Sequence, residues 1–540
     1  MLDLSRRAVA VAASLTVAGA AVVTGGSGAS ASGELHWTSV PANGDTRGVA
    51  VPNALAPQLA ESAVAQGSQR LENPTAAVPY YGYDGDGTLV PDPAKSFAEA
   101  GKTEPDKNTY LRMPGLHGAD PGYHYGARFL FQGHEGGTTG YLTRVNLDAD
   151  SAHRVTLLAS TLSDGRAMPT IDGSTWDPWA KRLLLTAEGG PQGGVYQATP
   201  NPGAKVEDLA AVLGRGGYEG IQNDSAGRLW IVEDSGGATP SGSKAKNPNS
   251  FVFRFTPYDR TDLTKGGRLQ ALQVISRRSG KPITFQPIDA THPTGGTATP
   301  DQQDLSSYGV ELDTRWVTAH DTRVDTSGAA YDANAAAKTA GATPFKRPEN
   351  GVFRPGTRFG QFFFTVTGDT NTTSAANAQF GGWGALMRLS QADPGADHGR
   401  LRVFYRGDQA HTGLDNITFI DRDHVASVED ASDTVHTQRG AFDSGYLFDV
   451  RTDYAKGAQP VRFLAEGRDE SATEDNLLGA AGGTFQNEGD NEITGIHMSD
   501  GDPSTDGILG AKLPHPFTGG WRLFWTQQHG QNTTWEIRES

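Results

Sequence analysis

The sequence predicts an all-β protein, a six-bladed β-propeller with loop insertions and an irregular N-terminal segment. The main observation is a phrase that recurs six times, in which an apolar run ends in an acidic or amide pair followed by small residues. Apolar runs rich in Phe, Val, Ile and Leu and closed by Gly and Asp are typical of buried strands. The six copies are RFLFQGHEGG ending at Gly137, RLLLTAEGG ending at Gly190, RLWIVEDSGG ending at Gly237, QFFFTVTGDTN ending at Asn371, HVASVEDASD ending at Asp433 and WRLFWTQQHGQN ending at Asn532.

The spacing of the copies and a second phrase support the propeller. The copies lie roughly 45 to 60 residues apart, with two intervals about twice as long, which suits four-stranded blades better than solenoid coils. Several copies follow another acidic phrase, and the innermost strands of all blades would bring these phrases to one central channel. The second phrases are TIDGS around Asp172, GGYEGI around Glu219, RPENGV around Glu349, GLDNITF around Asp415 and EITGIH around Glu492.

Composition narrows the classes of function. The chain has 540 residues, 36% of them hydrophobic, a formal net charge of -16 and no cysteine. The acidic balance argues against nucleic-acid binding, because Lys and Arg carry most of that affinity. It suits the binding of cations, although a solvated acidic surface gives the same balance. The absence of cysteine excludes disulfides, thiolate metal sites and cysteine nucleophiles.

The N-terminus is predicted to be an export signal. Arg6 and Arg7 precede an apolar stretch, and Ala29-Ser30-Ala31 is typical of a cleavage site, so residues 1–31 are interpreted as a signal peptide. SRRAVAV is similar to a twin-arginine signal, with the general secretory route as the alternative. The mature domain is then 32–540, with an irregular part at 32–126 and the main propeller at 127–540. No later stretch could span a bilayer, so the protein is expected to be secreted or associated with the cell wall.

The repeated carboxylates predict a site for hard cations. Calcium takes six to eight oxygen ligands, often from carboxylates. Any one of these acids could be an ordinary residue of a turn or of the channel rim, but their repetition at equivalent blade positions favours a shared role in binding metal. Arg347-Pro348-Glu349 adds a guanidinium that could bind a tetrahedral anion, with a salt bridge as the alternative. His134 and His529 could be ligands or proton donors, or histidines hydrogen-bonded near the channel.

In motif order the chain resembles the PhoX-type alkaline phosphatases. The shared phrases are GHEGG, TIDGSTWDPW with LLLTAEGG, FVFRFTPYDRTDLTKGGRLQAL, RPENGV, WGALMRL, GLDNITF with VEDASD, and NEITGIHM with QQHG, over about 110 to 532. The resemblance implies an exported six-bladed propeller whose channel mouth holds iron and calcium and which hydrolyses phosphomonoesters. It implies that Arg347 grips the phosphate. His529, the candidate proton donor named above, is taken as the second catalytic residue. The metal ligands implied by the motifs are Glu135, Glu219, Asp234, Glu349, Asp415, Asp430 and Glu492.

The chain departs from this family at one metal ligand. The family has an iron-binding cysteine shortly before the Pro-Trp pair, and here Asp172 lies near that place. Asp172 is therefore added to the expected ligands. A hard carboxylate in place of a soft thiolate favours calcium, magnesium or manganese over ferric iron, so Ca²⁺ is the expected metal, with Fe³⁺ or Mn²⁺ as alternatives.

The sequence therefore predicts a secreted, monomeric, metal-dependent phosphatase that acts on a small-molecule phosphate ester. A calcium-dependent lactonase or esterase is one alternative, and it would have an arginine-free, more apolar pocket. The other alternative is a binding propeller without catalytic activity, in which the carboxylates hold structural calcium.

Overall fold

The computed structural model describes residues 35–46, 49–85, 87, 89, 100–189, 192–468, 492–528 and 530–540. In these ranges the chain forms 26 strands and four short α-helices, and the strands pair in five antiparallel sheets. The prediction of an all-β, propeller-like protein is confirmed. Four sheets have four or five strands each, and the fifth has nine, so the strands do not divide into six separate sheets. The predicted signal peptide lies outside the described residues.

Two of the sheets follow each other directly in the chain, and each is a simple meander. The first sheet contains β3 (Pro105–Arg112), β4 (Arg128–His134), β5 (Leu142–Asn146) and β6 (Val155–Ala159). The second sheet contains β7 (Ser174–Asp177), β8 (Arg182–Ala187), β9 (Gly194–Ala198) and β10 (Val206–Asp208).

The nine-stranded sheet consists of two four-stranded meanders that β15 joins through their last strands, β14 and β19. Its strands are β11 (Tyr218–Asn223), β12 (Leu229–Glu233), β13 (Val252–Pro257), β14 (Gly267–Val274), β15 (Glu311–Asp321), β16 (Gly351–Phe353), β17 (Gln361–Val366), β18 (Ala385–Gln391) and β19 (His398–Arg406). The long interval without a repeat, from Ala238 to Glu349, thus provides β13, β14 and β15 as well as loops.

The last two sheets are completed by strands from the N-terminal part. The fourth sheet contains β20 (Leu414–Phe419), β21 (His424–Glu429), β22 (Ser444–Asp449) and β23 (Val461–Ala465), and the closing sheet contains β24 (Glu492–Ser499), β25 (Arg522–Gln528) and β26 (Thr533–Glu539). β1 (Ala54–Leu55) pairs with β23, and β2 (Leu59–Ala65) pairs with β26.

Segment 32–126, predicted to be irregular, therefore contributes three strands, β1, β2 and β3. Its sequence gives little periodicity because β2 is rich in Ala and partly exposed. The strand forms because its backbone pairs with β26 along the edge of the closing sheet, and such pairing overrides weak local preference. The boundaries predicted for the domain remain predictions.

Six strands, each at an edge of its own sheet or of the nine-stranded sheet, surround one axis. These edge strands are β3, β7, β11, β16, β20 and β24. Each contacts the next in this order, and β24 contacts β3, so the ring closes. The hydrophobic core lies between neighbouring sheets. Phe131 of β4 packs with Leu183 of β8, for example, and Phe363 of β17 packs with Ile417 of β20.

The helices are short and lie in connections. They are α1 (Ala210–Leu213), α2 (Pro300–Leu305), α3 (Ala333–Thr339) and α4 (Asp433–Arg439), with 3-10 turns at Ser151–His153, Leu263–Lys265, Ala378–Phe380, Tyr454–Lys456 and Thr505–Gly507. None of the helices in the described ranges is long and apolar enough to cross a membrane. Trp37–Ser540 form one compact unit.

Candidate metal centre

One set of carboxylates lies where the edge strands begin. Each edge strand carries an acidic residue within its first two positions or two residues before it. We call this set the strand-start carboxylates: Asp106 at β3, Asp172 before β7, Glu219 at β11, Glu349 before β16, Asp415 at β20 and Glu492 at β24.

A second set lies where the neighbouring strands end. Each of these strands is antiparallel to an edge strand, so its last residue lies beside the edge strand's first residue. We call this set the strand-end carboxylates: Glu135 after β4, Glu188 after β8, Asp234 after β12 and Asp430 after β21. The two sets together are the carboxylate centre.

Irregular pairing aims several of these side chains at the axis. The register shifts between Pro105 and Asn108, between Tyr218 and Ile221, and between Leu414 and Ile417. Each shift contains a strand-start carboxylate: Asp106, Glu219 or Asp415. A β-bulge changes the direction of a side chain that regular alternation would place elsewhere, so the same device recurs in three of the edge strands.

Glycines next to two of the carboxylates let the edge strands approach closely. A Cβ on Gly173 would lie 2.2 Å from the Glu219 carbonyl oxygen, and a Cβ on Gly220 would lie 2.8 Å from Asn350 Cα. Any side chain at these positions would push the strands apart and separate the carboxylates. The glycines that follow Asp172 and Glu219 in the sequence phrases therefore have a packing role.

Within the described ranges, three overlapping groups of carboxylates have ligand atoms close enough to share a cation. Within each group these atoms lie within 4.8 Å of one another. Asp172 and Glu219 each belong to two of the groups, so they connect the three. The groups are Asp106 with Glu135 and Asp172, Asp172 with Glu188 and Glu219, and Glu219 with Glu349 and Asp415.

The protein buries these acids at a high electrostatic cost. Burial, followed by repulsion from Asp172 and Glu349, raises the pKa of Glu219 well above its usual range. Burial and the charge of Asp234 raise the pKa of Glu188 to about 8. Few cations lie near these acids among the residues that the structure describes. Lys107 is itself buried, which lowers its pKa to about 8, and it donates a hydrogen bond to Asn350 Oδ1.

Arg347 lies between two members of the centre. Its Nε donates to Asp234 Oδ2 at 2.7 Å, and its second terminal nitrogen lies 3.2 Å from Glu349 Oε1. Its first terminal nitrogen donates to Thr370 Oγ1 at 3.1 Å. The backbone of Arg347 has φ 58°, a left-handed conformation that costs free energy for a residue with a side chain and often occurs at functional sites.

The donor set fits hard cations. Asp234 Oδ1 is buried and accepts no hydrogen bond from any described residue, and the buried Glu349 Oε1 has only the ion pair with Arg347 at 3.2 Å. Buried carboxylate oxygens are costly without a partner, and this centre consists of oxygen donors throughout. Calcium prefers such a donor set, and manganese also accepts it.

The structure brings most of the predicted ligands together. Glu135, Asp172, Glu219, Glu349 and Asp415 are in the three groups. Asp234 contacts Arg347. Glu492 interacts electrostatically with Asp430, Glu135 and Asp415. His529 lies outside the described residues, so its role stays a prediction. His134 is buried, and its ring nitrogens lie 3.2 Å from Thr103 Oγ1 and 2.9 Å from Thr143 Oγ1, so it is a hydrogen-bonded histidine.

Sequence reasoning missed Asp106 and Lys107. The signal was present, because Pro105-Asp106-Lys107-Asn108 is similar to Pro348-Glu349-Asn350 and precedes the first copy of the strand phrase. It was hidden because the phrase lies in the segment predicted to be irregular. The five acidic phrases found in the sequence provide the strand-start carboxylates of five edge strands. Asp106 provides that of the sixth, β3.

The comparisons with known proteins concern the family and the fold. The family model described as alkaline phosphatase PhoX matches residues 242–505. Pseudomonas fluorescens PhoX in complex with vanadate, a transition state analogue, is similar in structure at a TM-score of 0.54 and 11% identity, covering 94% of this chain and 98% of that chain. At that identity the likeness shows the fold alone.

Two further comparisons add no argument. Chaetomium thermophilum Sqt1 bound to the N-terminus of ribosomal protein L10 reaches a TM-score of only 0.30, at 11% identity over 81% of this chain and 100% of that one. No curated protein matches the chain. Over residues 242–505 the chain therefore carries the sequence pattern of the alkaline phosphatase PhoX family, and the resemblance predicted from its motifs is confirmed.

Proposed function

We propose that the protein is an exported, metal-dependent phosphomonoesterase built as a six-bladed propeller. The observation that carries the proposal is the position of Arg347, a cation with a planar fork of donors, at the edge of a buried cluster of carboxylates. Such a pairing suits a phosphate ester, because cations held by the carboxylates and a guanidinium can together surround its oxygens.

The six-bladed interpretation rests on the ring of edge strands. Six edge strands contact each other in a closed order, and each is the first of four paired strands, the fourth of which is β2 in the closing sheet. We infer that the nine-stranded sheet contains two blades joined through β15. Export is inferred from the signal-like N-terminus alone, with the twin-arginine route favoured by Arg6 and Arg7.

The carboxylates and Arg347 would have different roles in the reaction. When bound, calcium or another hard cation supplies positive charge that neutralises phosphate oxygens and acidifies the attacking water. Asp234, Thr370 and Glu349 fix the guanidinium of Arg347, so its remaining donors can stabilise charge on the equatorial oxygens without reorganisation. This scheme needs no side chain as nucleophile.

The alternatives receive less support. The lactonase was expected to have an arginine-free and more apolar pocket, whereas Arg347 lies in the centre. A structural calcium site would not need a strained arginine between two carboxylates. The metal expected on the centre is Ca²⁺, with Mn²⁺ or Fe³⁺ as alternatives, because Asp172 provides a carboxylate where the family has a cysteine.

The test is the hydrolysis of phosphomonoesters by protein loaded with calcium, manganese or iron. Arg347→Ala should reduce kcat/KM by roughly two to three orders of magnitude, and Arg347→Lys should restore only part of it, since an ammonium lacks the bidentate fork. Metal content should be retained in both variants, because Arg347 is not a ligand.

A matched control is Arg354→Ala. Arg354 has 18% of its side chain exposed, against 16% for Arg347, and pairs with Asp423 at 2.6 Å, after β16 rather than before it. Its loss should leave turnover near that of the wild type. An Arg347→Ala protein that is as active as the Arg354→Ala control, or a wild type inactive with all three metals, would overturn the phosphatase proposal.

A further inference from the structure

A cleft opens directly beside the carboxylate centre. Glu188 and Asp234 belong to both, so the cleft begins where the centre ends. Tyr331 and Asp332, just before α3, also line it, and its volume is about 820 Å³. Sites for small molecules usually enclose about 300 to 1,000 Å³. The cleft is therefore large enough for the organic part of a small phosphate ester.

Internal contacts hold the walls in place. The ring of Tyr331 stacks on His320 with centroids 3.7 Å apart, and its hydroxyl donates to the Val212 carbonyl oxygen at 3.2 Å. Asp332 caps α3 by accepting a hydrogen bond from the Ala335 amide at 2.8 Å. A wall fixed by such contacts needs little ordering when a ligand binds, which favours affinity.

The charges of the cleft disfavour a second anion. Four carboxylates line it: Glu188 and Asp234, which belong to the centre, and Glu233 and Asp332. Among the described residues that line the cleft, Arg215 is the single cation. Its guanidinium already donates to Asp208 at 2.5 Å and to the Tyr196 hydroxyl at 3.0 Å. An anionic group in the cleft would thus meet carboxylates and find the one cation already paired.

We propose that this cleft binds the alcohol portion of the phosphate ester and selects uncharged alcohols over anionic ones. The inference rests on the proposed phosphomonoesterase function, because it assigns the phosphoryl group to the Arg347 side of the same site. It names a substrate class: monoesters of neutral alcohols, such as simple aryl or polyhydroxy alcohols, in preference to esters that carry a second phosphate or a carboxylate.

Substitution of Gly236 by a larger residue offers a way to fill the cleft. It lines the cleft, a Cβ built on it meets no atom within 4 Å, and its φ lies outside the left-handed region. A larger side chain can therefore occupy the open space without strain at the backbone. Gly44 is a matched control, because its nearest neighbours are 3.9 Å from a built Cβ and it does not line the cleft.

The experiment measures the binding of non-hydrolysable phosphonates to calcium-loaded protein by calorimetry. Gly236→Leu should weaken the binding of 1-naphthylphosphonate about tenfold, as expected for loss of an organic group's pocket, and should change the affinity for methylphosphonate by less than about twofold. Gly44→Leu should change neither. Equal effects of Gly236→Leu on the two ligands, or no effect, would overturn the inference.

A second pair of ligands tests the charge. Phenylphosphonate should bind the wild type about tenfold more tightly than 4-phosphonobenzoate, and Gly236→Lys should narrow that ratio, because it places a cation in the cleft. Equal affinities in the wild type would refute the selectivity. If the phosphonates behave as expected but no phosphate ester is hydrolysed, the cleft assignment stands and the catalytic proposal fails. If hydrolysis occurs but Gly236→Leu affects both phosphonates alike, only the cleft assignment fails.

Discussion

Two clusters of buried acids in the described part of the chain are balanced by positive charge in different ways. The ionic network beside the fourth sheet comprises Glu429, His436, Arg439 and Asp443. Arg439 lies 3.1 Å from Glu429 Oε1 and 2.7 Å from Asp443 Oδ1, and His436 lies 3.0 Å from Asp443 Oδ1. The carboxylate centre has ten acids, and the described cations that interact with them are Arg347, Lys107 and Lys246. The network carries its own counter-charge, whereas the centre needs charge from outside.

The difference arises from neighbouring residues on one strand. Glu429 ends β21 and faces the network, where the Thr412 and Ser444 amides donate to it at 2.8 and 3.0 Å. Asp430 follows and faces the centre, as its interaction with Glu492 indicates. Successive residues of a strand point to opposite sides. The acidic pair that ends the phrase therefore provides one residue for structure and one for the site.

The largest effect is expected from removing the network's arginine. Arg439→Ala leaves Glu429 and Asp443 buried without their main cation, so it should lower the free energy of unfolding by about 3 to 5 kcal/mol. Urea unfolding of metal-loaded protein measures this. Arg400→Ala is the control, because Arg400 is 56% exposed and its pair with Asp313 lies on the surface, where such pairs contribute about 0 to 1 kcal/mol. Equal losses in the two variants would show that the network does not depend on its arginine.

The sequence predicted the acidic phrases but could not separate the two roles of each pair. The pairs Glu233-Asp234 and Glu429-Asp430 look alike in sequence. In the structure Glu233 accepts hydrogen bonds from the Phe251 amide and Asn334 Nδ2, while Asp234 binds Arg347. The distinction depends on which face of the strand meets the axis, and a one-residue bulge changes that face.

The buried strands were easier to predict from the sequence than the pairing that links one meander to another. The apolar runs that became β4, β8, β12, β17, β21 and β25 follow from local sequence, since each is buried on both faces. β15 was not predicted, because its alternating exposed and buried residues lie in an interval without repeats. Its pairing with both β14 and β19 is a long-range contact that merges two meanders into one sheet. Local pattern carries no information about such a join.

The comparison of the two clusters predicts that neutralising one acid in each has opposite effects on the stability of chelated protein. In chelated protein Glu219→Gln should stabilise the fold by on the order of 1 kcal/mol or more, because it removes one of several charges that repel each other. With calcium the same substitution should lower metal content and stability, since a ligand is lost. Asp443→Asn should destabilise the protein in both conditions. Thermal unfolding and elemental analysis, each with and without chelator, measure these effects.

The contrary case is a carboxylate centre that binds no cation. Glu219→Gln would then change stability equally with and without chelator, and the wild-type melting temperature would not depend on calcium. That outcome would place Glu219 with the ordinary rim carboxylates. If Glu219→Gln instead stabilises chelated protein while Asp443→Asn destabilises it, the two clusters differ in the source of their positive charge.

The smallest effect is expected from the histidine of the network. Burial opposes charging of the His436 imidazole, but Asp443 outweighs it and raises the pKa of His436 above its usual value. The folded state then binds the proton more tightly than the unfolded state, so this contribution is complete below about pH 6.5 and is lost as pH rises through the folded pKa. Arg439 and Asp433 also face this ring. In calcium-loaded protein, urea unfolding between about pH 6 and 9 should therefore show the wild type losing stability relative to His436→Gln. A constant difference across this range would mean that His436 stays neutral and packs beside Asp443 without contributing charge.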